Sequence, residues 1–178
     1  MKRRLQKQIR TQEGFTLIEI IVVMVILAIA SLVAIPMFSS GADIQIRSAA
    51  NKIAADLDYA KGLAVTHQEN YTVVFDSDQG SYQIQDAGGT VIQHPMRNDD
   101  FKETLSEDRL SRVDITSADF DGDADEAVTF DYLGAPYSGI CTGSPLMNSG
   151  RITLQADSFT LYVKVEPVTG YVTISDTP

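Results

Sequence analysis

Cysteine is nearly absent from this sequence, whose 178 residues include only Cys141. A single cysteine excludes an intramolecular disulfide and a zinc site built on several cysteines. Tryptophan is missing altogether, and His67 and His94 are the only histidines, too few for a histidine-rich metal centre. The sequence therefore predicts a fold that depends on neither disulfides nor bound metal, and we expect no cofactor.

Positive charge is scarce beyond the first fourteen residues. Residues 1–14 carry five basic residues and one acidic residue, a net charge of +4, whereas residues 15–178 carry nine basic and 23 acidic residues, a net charge of −14. A body this acidic repels phosphate backbones, so nucleic acid is not expected as a partner. The positive charge of the first segment needs another explanation. It is carried by Lys2, Arg3, Arg4, Lys7 and Arg10.

Polar residues are rare in the 21 positions of residues 15–35, which contain only Thr16, Glu19 and Ser31. A helix of this length reaches about 30 Å, the thickness of the hydrocarbon core of a bilayer. The alternative is a helix buried in a domain core, but a small domain rarely needs so long an apolar run. We therefore predict a transmembrane helix at residues 15–35.

The order of charged and apolar segments predicts both topology and processing. The positive-inside rule places residues 1–14 in the cytoplasm and the chain after residue 36 on the other side of the membrane. In an ordinary signal peptide the small-residue cleavage site follows the apolar run, whereas here Gly14 precedes it, next to Phe15. Glycine suits a scissile position because it lacks Cβ and lets the backbone extend into a narrow cleft. A cut between Gly14 and Phe15 would leave the apolar run as a permanent anchor.

Glu19 is the one acid inside the apolar run. Inserting such a carboxylate into a membrane costs about 2–3 kcal/mol, so we hypothesise that Glu19 has a function. The alternative is that Glu19 lies near the lipid headgroups and has no role. Cleavage after Gly14 would create a free α-amine on Phe15, one helical turn from Glu19. In a subunit shifted along the axis, this amine would meet the carboxylate and neutralise it. Such a pair specifies alignment between subunits more than it adds stability.

The segment Gly14-Phe15-Thr16-Leu17-Ile18-Glu19, after a basic leader and before an apolar helix, resembles the class III signal of type IV pilins and type II secretion pseudopilins. The resemblance implies cleavage after Gly14 by a prepilin peptidase and N-methylation of Phe15. It also implies a role for Glu19 in assembling subunits into a helical filament.

An amphipathic helix is predicted to continue the apolar run over residues 36–66. Pro36 removes a helical hydrogen bond, so a kink or local melting is expected there. Beyond Gly41, apolar residues recur at steps of four and three, which indicates one face packed against a sheet. A coiled coil is disfavoured because the pattern lasts only about three heptads. The stripe consists of Ile46, Ala50, Ile53, Leu57, Ala60 and Ala64.

The period of the apolar residues changes to two after residue 70, as is typical of strands. Residues 97–112 are expected to be irregular with one helical turn, and residues 134–150 to form a long surface loop. We therefore predict an α+β fold with a long N-terminal helix packed on an antiparallel sheet, in which residues 67–178 form a β-rich head. The expected strands lie near residues 71–75, 82–84, 91–92, 113–115, 128–132, 152–154, 159–165 and 172–174.

Four segments of the head support a narrower resemblance. They are DLDYAKGLAVTHQENYTVVFD, VTFDYLGAPYSG, GRITL and VEPVTGYVTI, in this order. This order is similar to that of the GspH/FimT branch of minor pseudopilins and minor pilins. The loop at residues 137–150 is longer than this branch usually carries.

Three remaining features of the sequence favour simple structural interpretations. The acidic segment Asp119–Glu126 invites a calcium site, but an EF-hand loop counted from Asp119 would have Ala124 where glycine is needed and Phe130 where glutamate is needed. A solvated acidic loop is the preferred interpretation. No serine lies in a nucleophile-elbow sequence, so we expect no enzymatic activity. Cys141 is interpreted as an inert thiol, with an intermolecular bridge as the alternative.

The function implied by these resemblances is that of a structural minor pseudopilin of a type II secretion system. Its expected partners are a prepilin peptidase, other pseudopilins or pilins in a filament, and the bacterial inner membrane, with the head in the periplasm. One alternative is a FimT-like minor pilin of a type IV pilus. An alternative of another class is a membrane-anchored binding or sensor module that keeps its leader.

Overall fold

The computed structural model describes residues 15–105, 108–122, 126–140 and 146–178, without the side chains of residues 32–40 and 108. The leader with Gly14, the centre of the acidic segment and Cys141 thus lie outside the described residues. The helix that contains Pro36 is continuous from Leu17 to His67, so the local melting predicted at Pro36 is not observed. The chain divides into two compact units, Met1–Ser39 and Ser40–Pro178.

One long helix, α1, runs from Leu17 to His67 and contributes to both units. In the first unit, every described side chain from residue 15 to residue 31 is exposed. Among the residues that the structure describes, no helix is both long and apolar enough to cross a membrane. The predicted span of residues 15–35 ends among side chains that are not described.

In the second unit, α1 packs its small and branched apolar residues into the core. The six residues of the predicted stripe are all buried, and Ala42 and Ala49 extend it. Alanine has almost no side chain beyond Cβ, so the backbone of the helix can approach the strands closely. The helix ends in a Schellman-type turn, in which Gln68 has a φ of 60° and the Glu69 amide donates to the Ala64 carbonyl.

In the described residues, nine strands, all paired antiparallel, form two sheets. The five-stranded sheet has the order β3-β2-β1-β5-β6 and the four-stranded sheet the order β4-β7-β8-β9. A short 3₁₀ turn, Asp108–Leu110, precedes β4. The strands are β1 Tyr71–Asp76, β2 Ser81–Gln85, β3 Lys102–Thr104, β4 Asp114–Phe120, β5 Ala127–Phe130, β6 Pro136–Ser138, β7 Gly150–Ala156, β8 Phe159–Val165 and β9 Val172–Ser175.

The two sheets and the second part of α1 share one continuous hydrophobic core. Phe75 of β1 and Phe120 of β4 bring their ring centroids to 5.8 Å of each other, which joins the sheets. Gly150 lies opposite Phe120 in the register, and a Cβ there would come within 3.1 Å of the Phe120 ring and 2.8 Å of the Met147 sulfur. Glycine at this position therefore leaves room for the aromatic pair.

The predicted α+β architecture is confirmed, with differences in individual strands. Val91 and Ile92 do not form a strand, because only the isolated bridge from Gln85 to Val91 pairs this segment with its neighbour. β3 was not predicted because its sequence, Lys-Glu-Thr, has no apolar residue, and it gains order from pairing with β2. The loop at residues 134–150 contains β6, held by β5. The strands also form two sheets rather than one.

Candidate functional site

The N-terminal end of α1 is a capping turn that follows Phe15 and contains Glu19. The Thr16 hydroxyl oxygen accepts a hydrogen bond from the Glu19 amide at 3.3 Å, and the Thr16 carbonyl accepts from the Glu19 and Ile20 amides at 3.1 and 3.3 Å. Thr16 is thus the N-cap, and Glu19 is the third helical residue, as in a capping-box sequence. The Glu19 carboxylate therefore lies at the positive end of the helix dipole.

The surface around this turn is apolar on all sides. Phe15 is 80% exposed and Leu17 is 78% exposed, and the apolar side chains up to Ile29 are exposed as well. A soluble monomer rarely leaves a continuous apolar surface of this extent in water. The exposed apolar surface of this segment therefore exceeds what a soluble monomer usually presents to water.

A second group of charged side chains lies in the head, around the buried carboxylate of Glu103. Glu103 is 4% exposed, and its two oxygens bind Lys52 of α1 and Arg97. The His94 Nε2 lies 3.5 Å from the same carboxylate, and its ring stacks on Phe101 at 4.7 Å between centroids. Burying a carboxylate is costly unless it is paired, and these contacts satisfy it. The group therefore fixes β3 and the segment before it against α1.

Next to this group, Tyr82 of β2 donates a hydrogen bond to the Asp56 carboxylate of α1 at 2.5 Å. Burial raises the pKa of Asp56 above its ordinary value, against the lowering effects of the Tyr82 hydrogen bond and of Lys52. Burial also raises the pKa of Tyr82 well above its usual range, so the phenol remains the donor. The ionised form of Asp56 is thus disfavoured in the folded state.

We expect Asp56→Asn to stabilise the protein at neutral pH. A carboxyl group with a raised folded-state pKa contributes stability that is lost as the pH rises through that pKa, and asparagine removes this loss while still accepting from Tyr82. Thermal unfolding of the wild type and of Asp56→Asn at pH 3.5 and pH 7 measures the effect. The other titratable groups near Asp56, which are His94, Lys52 and Glu103, are present in both proteins, so their own titration cancels in the comparison. The variant should gain more at pH 7 than at pH 3.5. Asp58→Asn, an exposed acid of the same helix, is the control; an equal Asp56→Asn effect at both pH values would refute the prediction.

The described carboxylates of the acidic segment Asp119–Glu126 have protein partners. The Asp121 carboxylate accepts from the Asn148 and Ser149 amides, each at 2.7 Å, and Asp119 accepts from the Gly122 amide at 2.8 Å. Glu126 binds the amide and hydroxyl of Ser77 at 3.0 and 2.8 Å. No cluster of metal-ligating side chains occurs within the described ranges of the chain.

His67 lies at the end of α1 and hydrogen-bonds the Tyr71 hydroxyl at 2.6 Å through Nδ1. His94 belongs to the Glu103 group, where its Nε2 lies 3.5 Å from the carboxylate. Both histidines thus have structural partners. The sequence pattern did not reveal the Glu103 group, because its members are separated by up to 51 positions; only the isolated Lys-Glu-Thr between two longer strands could have drawn attention to it.

Two family models match the chain. The first describes the prokaryotic N-terminal methylation motif and matches residues 9–35. The second describes the type II transport protein GspH and matches residues 49–169, about two thirds of the chain. The chain belongs to the GspH family. The GspH match begins within the buried stripe of α1, after Ile46, and covers all strands up to β8 and the Glu103 group.

A solved minor pseudopilin shares the fold of this GspH-family chain. The minor pseudopilin EpsH from the type 2 secretion system of Vibrio cholerae superposes with a TM-score of 0.53 at 9% sequence identity, over 74% of this chain and 96% of that chain. The type IV minor pilin FimU of Pseudomonas aeruginosa gives a TM-score of 0.46 at 16% identity, over 76% of this chain and 90% of that chain. At such identities the EpsH similarity establishes the fold alone. A search of curated proteins found no significant match.

GspH membership confirms the family and the function predicted from the sequence, a minor pseudopilin of type II secretion with a pilin-like α+β fold. The methylation motif places the chain among the pilin-like proteins that are processed and assembled. The GspH family consists of structural subunits.

Proposed function

We propose that this GspH-family chain is made as a precursor, cut between Gly14 and Phe15 by a prepilin peptidase, and N-methylated on Phe15. The methylation-motif match over residues 9–35 spans this bond and supports the proposal. Phe15 precedes α1 and its side chain is exposed, so the residue after the bond is accessible to an enzyme. Cleavage would remove residues 1–14 and all of their positive charge.

The mature chain is anchored once in the bacterial inner membrane. Residues 15–35 span the bilayer, residues 36–66 continue the helix, and residues 67–178 form the periplasmic head, while the leader faces the cytoplasm before it is removed. The exposed apolar surface of residues 15–31 and the basic residues before it support this arrangement. In the filament the same apolar side chains would bury one another and exchange lipid contacts for contacts with neighbouring helices.

Glu19 sets the register between neighbouring subunits. Its carboxylate is exposed in the first turn of α1, one turn from the Phe15 amine that cleavage would create. The two groups in one chain lie at the same end of the helix, so a neighbour displaced along the axis can offer its own amine to this acid. The amine and the carboxylate are each unfavourable in an apolar surrounding, and pairing them lowers this cost. The displacement between subunits that allows the pairing is therefore favoured over other displacements.

The head acts through contacts rather than catalysis. Both histidines have structural partners, and the carboxylates of Glu103 and Asp56 are bound by Lys52, Arg97 and Tyr82. The head therefore supplies the surface that other pseudopilins of the filament recognise.

The mass of the native chain tests the processing step. We expect the chain extracted from membranes to begin at methylated Phe15, and Gly14→Leu to leave a chain that keeps its leader, because a branched side chain blocks the cleft that an extended glycine enters. Intact-mass spectrometry measures both. Gly62→Leu is the matched control, since an added Cβ at this exposed helical position meets no atom within 4 Å. A wild-type chain that begins at Met1 would contradict the pseudopilin assignment and favour the anchored sensor module.

A further inference from the structure

Positive charge in the head is concentrated at one place. Residues 15–178 contain nine basic residues, and four of them line a single cavity of about 730 Å³. The described lining contains one acid, so the described lining residues carry a net charge of +3 within a body of net charge −14. The lining residues are Ser48, Lys52, Arg97, Lys102, Glu103, Thr104, Arg109 and Leu110.

The four cations reach this basic cavity from separate elements. Lys52 comes from α1, Lys102 from the edge strand β3, Arg109 from the 3₁₀ turn, and Arg97 from the segment before β3. A lysine on an edge strand ordinarily discourages pairing with another strand, but that explanation does not extend to the other three. The tertiary fold therefore brings together positive charges that lie on separate elements of the chain.

The cations of the basic cavity fall into two pairs. Lys52 and Arg97 are bound to the buried carboxylate of Glu103, which holds them in place. Lys102 and Arg109 are exposed, and neither forms an ion pair with a residue in the described part of the chain. Lys102, Arg109 and Arg97 thus present cationic groups at the exposed surface of the cavity, and Glu103 fixes Lys52 and Arg97 in place.

We propose that the basic cavity docks an acidic segment, rich in Asp and Glu side chains, of a neighbouring filament subunit. Heads as acidic as this one repel each other, and a locally positive cavity turns the approach of an acidic neighbour into attraction. Guanidinium groups bind carboxylates through two parallel hydrogen bonds, and a cavity of this volume holds several side chains. The net charge of −14 disfavours the binding of a long phosphate polymer, but it still allows a short acidic segment to bind in the cavity. The identity of the partner rests on the proposed filament function.

Binding of a fluorescent hexaglutamate peptide to the full chain in detergent tests the proposal by anisotropy. We expect saturable binding that weakens from 50 to 300 mM salt, no binding of hexaglutamine, and at least ten-fold weaker binding by the double variant K102E/R109E. K164E, a charge reversal on β8 of the other sheet, should bind like wild type. Both replaced side chains of the double variant are exposed, so its thermal midpoint should match that of wild type and exclude loss of folding.

Three results would overturn the docking proposal: no peptide binding, equal loss in K164E and the double variant, or tighter binding of inorganic phosphate or of a DNA oligonucleotide at the same cavity. The mass of the same preparation separates this failure from failure of the proposed function. A chain that begins at methylated Phe15 but does not bind the peptide overturns only the docking. A chain that begins at Met1 and binds the peptide overturns the filament partner while supporting a site for acidic segments.

Discussion

Glu19→Ala is expected to reduce incorporation of the protein into filaments at least ten-fold. The carboxylate costs about 2–3 kcal/mol in an apolar surrounding, and in the register mechanism proposed above its pairing with the Phe15 amine of a neighbour would recover energy of that order in one register only. Without the acid, the amine of the neighbour lies unpaired among apolar side chains and no displacement is favoured. Sheared filaments from cells that produce equal amounts of each variant, quantified by immunoblot, measure the effect.

Two further variants separate charge from helix capping. Glutamine can serve as the third residue of a capping box, so Glu19→Gln keeps the N-terminal turn with Thr16 and removes only the charge. If the register depends on charge, as proposed, Glu19→Gln should fail as Glu19→Ala does. Glu69→Ala removes an exposed acid just after the end of α1 and should assemble normally. Normal incorporation of Glu19→Gln would reduce Glu19 to a capping residue and refute the register mechanism.

Phe120→Ala is expected to lower the free energy of unfolding by about 3–5 kcal/mol, the usual loss for a buried phenylalanine. The Phe120 side chain is 0% exposed and contacts Phe75 across the two sheets. Its removal would leave a cavity at the junction where the four-stranded sheet meets the five-stranded one. Urea unfolding of the full chain in detergent, followed by circular dichroism, measures the loss.

Tyr171→Ala is the control for this effect, because Tyr171 is an aromatic residue of similar size that is 62% exposed. We expect it to change the free energy of unfolding by less than about 0.5 kcal/mol, as is usual for surface positions. A Phe120→Ala loss no larger than that of Tyr171→Ala would show that the two sheets do not depend on this aromatic pair.

Periodicity in the sequence predicted the helix and most strands well. The stripe from Ile46 to Ala64 was recognised because a helix repeats every 3.6 residues, and β1, β2, β7 and β8 were recognised because their apolar residues alternate. β3 and β6 were missed because three-residue strands carry no readable period and form only when a longer strand pairs with them. Val91 and Ile92 were wrongly assigned to a strand because a short apolar pair carries no information about its partner.

The sequence alone determined the family, the motif around Gly14, Phe15 and Glu19, and the helix-then-strands order, because these depend on neighbouring residues and on short periods. Only the tertiary structure decided that the strands divide into two sheets joined by Phe75 and Phe120. It also decided that Glu103 is buried among cations and that Lys102 and Arg109 share a cavity with Lys52. These features join residues tens of positions apart, and the pairing of distant strands brings them together without leaving a local pattern.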